Sequence, residues 1–185
     1  MAPAPVATLL SAEQFARRSD PGYPEELVRG RIVPMPMPKP RHGHLCNKVG
    51  RVLGNFVEDH QLGWVFNNDT GVITERDPDT VRGADVAFYS FARLPRGELP
   101  DQYPEVAPEL IVEVLSPNDR WPKVLGKVAE YLEAGVSVVV VLDDDRRLAH
   151  VFGADGTNRM LGPDDELTLP EWLGEFRVVV RRFFE

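Results

Sequence analysis

Two apolar runs limit what this chain can fold into. Leu110-Ile111-Val112-Glu113-Val114-Leu115 is a dense strand pattern, and Ser137 to Leu142 carries five consecutive apolar residues. Runs of this kind suit strands covered on both faces, so Ser137 to Leu142 is read as central in a sheet. Between them, Lys123 to Ala134 has Val124, Leu125, Val128, Tyr131 and Leu132 on one arc, followed by Gly135 as a helix stop. Strand, helix, strand in this order predicts a mixed sheet with helices on its faces, an α/β or α+β fold.

The rest of the chain fits that core. Ser11-Ala12-Glu13-Gln14 has the form of a capping box, with Leu10 and Phe15 placed for a hydrophobic staple, and predicts a short helix over 12–18. Glu26-Leu27-Val28 and Arg31-Ile32-Val33 flank Arg29-Gly30, the pattern of a tight hairpin. The proline-rich stretch 34–40 reads as an extended connector. Leu45, Val49, Val52, Leu53, Phe56 and Val57 give helical spacing over 43–60. Trp64-Val65-Phe66, residues 70–74 and residues 84–89 read as three strands, with a turn at Asp77-Pro78-Asp79 between the last two. Residues 92–108 form a long loop rich in Pro, Gly and charge. Strands are expected again at 148–152 and 177–180. At roughly 100–200 residues per domain, the 185 residues make one domain, with a core over about 9–152 and a C-terminal extension over 153–185.

Composition excludes several function classes. The single cysteine, Cys46, rules out an intramolecular disulfide and favours a reducing compartment. Met1 to Leu10 is apolar but lacks the basic start of a signal peptide. No run approaches the ~20 apolar residues of a membrane helix. A soluble, cytoplasmic protein is expected. The net charge of −8 argues against nonspecific coating of nucleic acid, although a local site can differ in charge from the whole. The sequence has no phosphate-binding glycine loop, no zinc-spaced Cys/His set and no nucleophile elbow. Asp143-Asp144-Asp145 and Asp164-Asp165-Glu166 read as solvated turns, and Cys46 as a packing residue.

The chemistry lies in acids that interrupt apolar strands. Glu113 sits in the middle of its run, where a carboxylate is costly unless it is paired or binds a metal. Asp85, in Ala84-Asp85-Val86-Ala87-Phe88, repeats the anomaly. Each alone could be a salt-bridged core residue or a strand-edge acid. Two on neighbouring strands, with an intervening backbone carbonyl, make an all-oxygen site suited to Mg²⁺ or Mn²⁺. Lys127 lies roughly 100° from the centre of its helix's apolar arc. That is the border of the buried face, where a lysine can also snorkel simply for packing.

The stretch from Glu113-Val114-Leu115-Ser116-Pro117 through Lys127, Tyr131 and Gly135-Val136 resembles the Uma2 family, also called DUF820, of restriction endonucleases in the PD-(D/E)XK superfamily. Residues 26–33, His42-Gly43, 81–86 and 138–143 support the resemblance, which spans roughly 9–152. It implies a restriction-endonuclease-like fold and a metal held by Asp85, Glu113 and the Val114 carbonyl. The superfamily lysine would fall at Leu115, which cannot serve; by resemblance it has moved to the next helix, at Lys127. Glu26 and His42 match further positions near the active site. Ala84 stands where the family usually has proline, and Lys123 where an acid is common. The implied reaction is Mg²⁺- or Mn²⁺-dependent hydrolysis of DNA, by a protein expected to act as a homodimer. The alternative is a binding or regulatory module that keeps the nuclease fold without turnover, as the acidic composition would suit.

Overall fold

The computed structural model of the chain describes residues 9–116 and 119–185. The reading of Met1 to Leu10 falls mostly outside these residues, as does Pro117 of the Glu113–Pro117 stretch. In chain order the elements are α1 (Ala12–Ala16), β1 (Glu25–Val28), β2 (Arg31–Pro34), α2 (Pro40–Asp59), β3 (Gly63–Glu75), β4 (Thr80–Ser90), β5 (Leu110–Val114), α3 (Trp121–Glu133), β6 (Val138–Asp143), β7 (Leu148–Gly153), β8 (Asn158–Leu161), β9 (Glu166–Thr168), α4 (Pro170–Leu173) and β10 (Arg177–Val179). A 3₁₀ turn, Val180–Phe183, follows. Among the described residues no helix is long and apolar enough to cross a membrane.

The central sheet runs β2-β1-β4-β5-β6-β7-β8, with β3 also paired to β4. Among the described residues, β5 and β6 are the one parallel pair, joined through α3. β6 is buried along its whole length, as its unbroken apolar run requires. Even-numbered residues of β4, β5 and β6 (Val86, Phe88, Val112, Val114, Val140) pack under Leu45, Val49, Leu53 and Val57 of α2. Odd-numbered residues (Ala87, Tyr89, Ile111, Val139, Val141) face Val128 and Tyr131 of α3. The two helices thus cover opposite faces, which is why the strands carry apolar residues on both sides.

Several boundaries differ from the sequence reading. α1 stops at Ala16, short of Arg18, although both capping-box hydrogen bonds form at Ser11. α2 starts at Pro40 rather than Gly43, because a proline in the first turn loses no hydrogen bond. The strands expected at 64–66 and 70–74 are one strand, β3, carrying a bulge: Asn67 pairs with Val86 and Thr70 with Ala84, so Asn68 and Asp69 together oppose Asp85. Both bulge residues have left-handed φ, 66° and 54°, which Asn and Asp tolerate best after glycine. The hairpin turn Arg29-Gly30 is left-handed at both positions, the geometry that matches strand twist. Beyond 153, Leu167, Leu173, Phe176, Val178 and Phe183 join the α2-side core, so the C-terminal extension is part of the packing rather than an appendage. Val180, expected to end the last strand, begins the 3₁₀ turn instead. Asp143, read as a solvated turn residue, is buried, and its carboxylate accepts from the Arg146 amide at 3.0 Å.

One topological feature prepares the site. β3 occupies one edge of β4 along its length. The other edge is shared: β1 meets it at Val81, and β5 meets it at Val86 to Phe88. Residues 82–85 lie in the fork between β1 and β5: β3 pairs with one edge of this stretch, while among the described residues no strand pairs with its other edge, so side chains can reach it.

Candidate active site

The fork gathers acids and bases from five elements. Continuing the register Val86↔Val112 by one residue sets Asp85 opposite Glu113. The bulge at Asn68-Asp69 lies opposite Asp85, whose Oδ2 accepts from the Val114 amide at 2.7 Å. In a strand, one residue's N–H and C=O point to the same side, so the Val114 carbonyl lies on the Asp85 side as well.

Glu113 is held from above by α3. Its Oε2 is 3.1 Å from Lys127 Nζ, and its Oε1 accepts from the Tyr131 hydroxyl at 2.8 Å. Lys127 also donates to the Gly83 carbonyl at 2.9 Å and lies 3.4 Å from Glu26 Oε1. Those three partners match the three donors of an ammonium. Lys127 and Tyr131 are four residues apart, so one helical face delivers both.

Glu26, on β1, is 5% exposed. Its Oε1 accepts from the Gly83 amide at 3.2 Å, and its Oε2 pairs with Arg82 at 2.9 Å. Arg82 makes a bidentate pair with Glu130 at 2.7 and 2.8 Å. His42 enters from the first turns of α2, with Nε2 3.4 Å from Asp85 Oδ2 and Nδ1 3.4 Å from Cys46 Sγ. A cavity of about 220 Å³ beside Asp85 is lined by His42, Cys46, Asn47 and the bulge residues 67–69.

The electrostatics follow from this crowding. Burial pushes the Glu113 carboxyl up to about 7; Asp85 adds to the rise, while Lys127 and Tyr131 oppose it. Lys127 is held above its ordinary value, because the surrounding carboxylates outweigh its burial. Its contact with Asp85, reinforced by Cys46, holds His42 well above the usual imidazole range. Burial raises the Cys46 thiol, and burial together with Asp85 raises Asp69.

Asp85, Glu113, Lys127, Glu26, His42 and Val114 therefore come together, although they are spread over 26–127 in sequence. Arg82, Tyr131, Asp69 and the Gly83 backbone complete the cluster and were not singled out as site residues. Tyr131 and Cys46 carried a legible signal, each being four residues from a site residue on the same helix. Arg82 had none, since only the fork brings it to Glu26. Charge also gathers elsewhere. Lys48, Arg51, Arg177 and Arg182, with one acid, Glu175, line a separate depression of about 400 Å³. It lies on the flank of α2 away from His42 and Cys46.

The donor set fits a hard dication. A carboxylate has about four lone-pair sites, and Glu113 uses only two on Lys127 and Tyr131. Asp85 and the Val114 carbonyl supply oxygens of the same kind, which suits Mg²⁺ or Mn²⁺.

Three comparisons bear on the chain. The model of the Uma2 family, described as "Putative restriction endonuclease", matches residues 12–181. The match runs past the 9–152 span legible in the sequence and takes in most of the C-terminal region. Among solved structures, the chain is similar to the crystal structure of a putative nuclease belonging to DUF820 from Anabaena variabilis ATCC 29413. The TM-score is 0.81 at 20% identity, covering 95% of this chain and 97% of that one, which shows a shared fold. No curated protein matches.

Proposed function

From the premise that this chain belongs to the Uma2 family, we propose that it is a divalent-metal-dependent endonuclease that hydrolyses phosphodiester bonds in DNA. The observation that carries this reading is the placement of Asp85 opposite Glu113, one step beyond the Val86↔Val112 pair, with Lys127 Nζ 3.1 Å from Glu113.

In this reading Asp85, Glu113 and the Val114 carbonyl hold Mg²⁺ or Mn²⁺. When bound, the ion supplies positive charge at the scissile phosphate and makes water a stronger nucleophile. Lys127 contributes a fixed positive charge on the same side of the fork, stabilising the extra negative charge of the pentavalent transition state. Glu26 orients Lys127 and the Gly83 peptide, and Arg82 neutralises Glu26, so both are positioning residues. Tyr131 fixes the Glu113 carboxylate by donating to Oε1. His42, as an imidazolium, can donate a proton-bearing Nε2 toward Asp85 or toward a phosphate oxygen in the adjacent cavity.

The test is cleavage of supercoiled and linear duplex DNA by purified protein with Mg²⁺, with Mn²⁺ and with chelator. Metal-dependent nicking or cleavage that disappears in Asp85→Asn and Glu113→Gln, both still folded by circular dichroism, is expected. A folded wild-type protein that cuts no DNA with either metal would refute the proposal.

A further inference from the structure

The metal-binding potential of Asp85 is not confined to its pairing with Glu113: the Oδ2 that accepts from the Val114 amide also faces His42. His42 and Cys46 stand i and i+4 on α2, so their side chains share a face. His42 touches Cys46 Sγ through Nδ1 and Asp85 Oδ2 through Nε2, both at 3.4 Å. One donor atom from each of the three residues lies within 4.8 Å of the other two. Tetrahedral zinc, with bonds of about 2.0–2.3 Å, needs its ligands about 3.3–3.8 Å apart. The cluster is thus within about 1 Å of that geometry before any ring rotation. The cavity beside it leaves a further position open, with Asp69 on its wall.

We propose that His42, Cys46 and Asp85 form a binding site for a thiophilic divalent transition metal of the zinc class, distinct from the all-oxygen site on the Glu113 side. The ligand chemistry separates the two. Thiolate and imidazole select Zn²⁺, Co²⁺ or Ni²⁺ strongly over Mg²⁺, whereas carboxylate and carbonyl oxygens suit Mg²⁺ and Mn²⁺. Binding forms metal–sulfur, metal–nitrogen and metal–oxygen bonds. It releases the Cys46 proton and the imidazolium proton to solvent, with no change of oxidation state. Because binding releases protons, affinity rises with pH. Asp85 is common to both sites, and two dications on one short carboxylate repel each other four times as strongly as unit charges would. A zinc-class ion therefore opposes occupation of the Glu113 side and acts as an inhibitor. Only this last consequence rests on the nuclease reading above.

The experiment uses reduced, full-length protein stripped with chelator and titrated with Co²⁺ under nitrogen. A thiolate-to-cobalt charge-transfer band in the near ultraviolet, saturating at one ion per chain and displaced by Zn²⁺, is expected. Cys46→Ser abolishes the band, and His42→Gln lowers Co²⁺ affinity by more than about tenfold. Glu113→Gln leaves the band and its affinity intact, which distinguishes this site from the all-oxygen one. Circular dichroism checks the fold of each variant. No band in the wild type, full-affinity binding in both His42→Gln and Asp85→Asn, or a band lost in Glu113→Gln overturns the proposal. Because the readout is spectroscopic, absence of DNA cleavage does not affect it.

Discussion

Replacing Glu113 with glutamine should change how stability depends on pH, in a direction and size set by the fork. In the metal-free protein, burial and the nearby Asp85 carry the Glu113 carboxyl from its ordinary 4.5 to about 7. Below pH 4.5 the group is protonated in both folded and unfolded chains and contributes no slope. Between 4.5 and about 7 the unfolded chain has released its proton while the folded chain keeps it, so stability falls as pH rises. At about 1.4 kcal/mol per pH unit, the full effect is about 3 kcal/mol, complete once pH passes the folded value. Glutamine keeps the shape and an acceptor for Tyr131 or Lys127 but cannot titrate. Urea unfolding of wild type and Glu113→Gln, in chelator, across pH 4.5 to 7.5 isolates the group, because other titrations cancel in the difference. The wild type should lose about 3 kcal/mol relative to the variant over that range. A flat difference, or one rising with pH, would show that the Glu113 carboxylate is not desolvated as the structure implies.

Lys127→Met should lower metal-dependent cleavage by about 10²–10³-fold, the usual cost of losing one transition-state donor. Calorimetry on the same variant should still detect Mn²⁺ binding. Arg82→Met removes the partner of the buried Glu26 and should cost about 3 kcal/mol or more in urea unfolding. Arg82→Lys should rescue this only in part, since it cannot reproduce the bidentate pair with Glu130. Asp79 is buried; its Oδ2 accepts from the Ala12 amide at 2.7 Å and from Arg76 at 2.8 Å, tying α1 to the sheet. Asp79→Ala should therefore cost about 1–3 kcal/mol and speed hydrogen exchange at the Ala12 amide.

The parts of the site that were legible in sequence share one property: they break a local pattern. Glu113 and Asp85 are acids inside apolar strand runs, and Lys127 is a cation at the edge of an apolar helical arc. Such violations show in a window of a few residues. Glu26 and His42 break no pattern and came only from the family resemblance. Arg82 could not be read at all, because its role depends on β1 and β5 meeting the same edge of β4, a relation between strands more than fifty residues apart. The bulge was hidden for a related reason. A polar triplet, Asn67-Asn68-Asp69, looks like a gap between strands unless two left-handed residues can continue the strand through it. Cys46 was read as packing, which is half right: it touches the α2-side core and also reaches His42. In the C-terminal region, strands of three or four residues are too short to show a period, so β8, β9 and α4 went unseen although they close the core.

The central claim is that Asp85 and Glu113 together hold a hard dication in the fork. Crystals soaked in Mn²⁺ and measured at the manganese absorption edge test it most directly. One anomalous peak ligated by Asp85, Glu113 and the Val114 carbonyl, with Lys127 nearby, is expected, and no such peak in Asp85→Asn crystals. No manganese in the fork at saturating concentration, or manganese only beside His42 and Cys46, would contradict it.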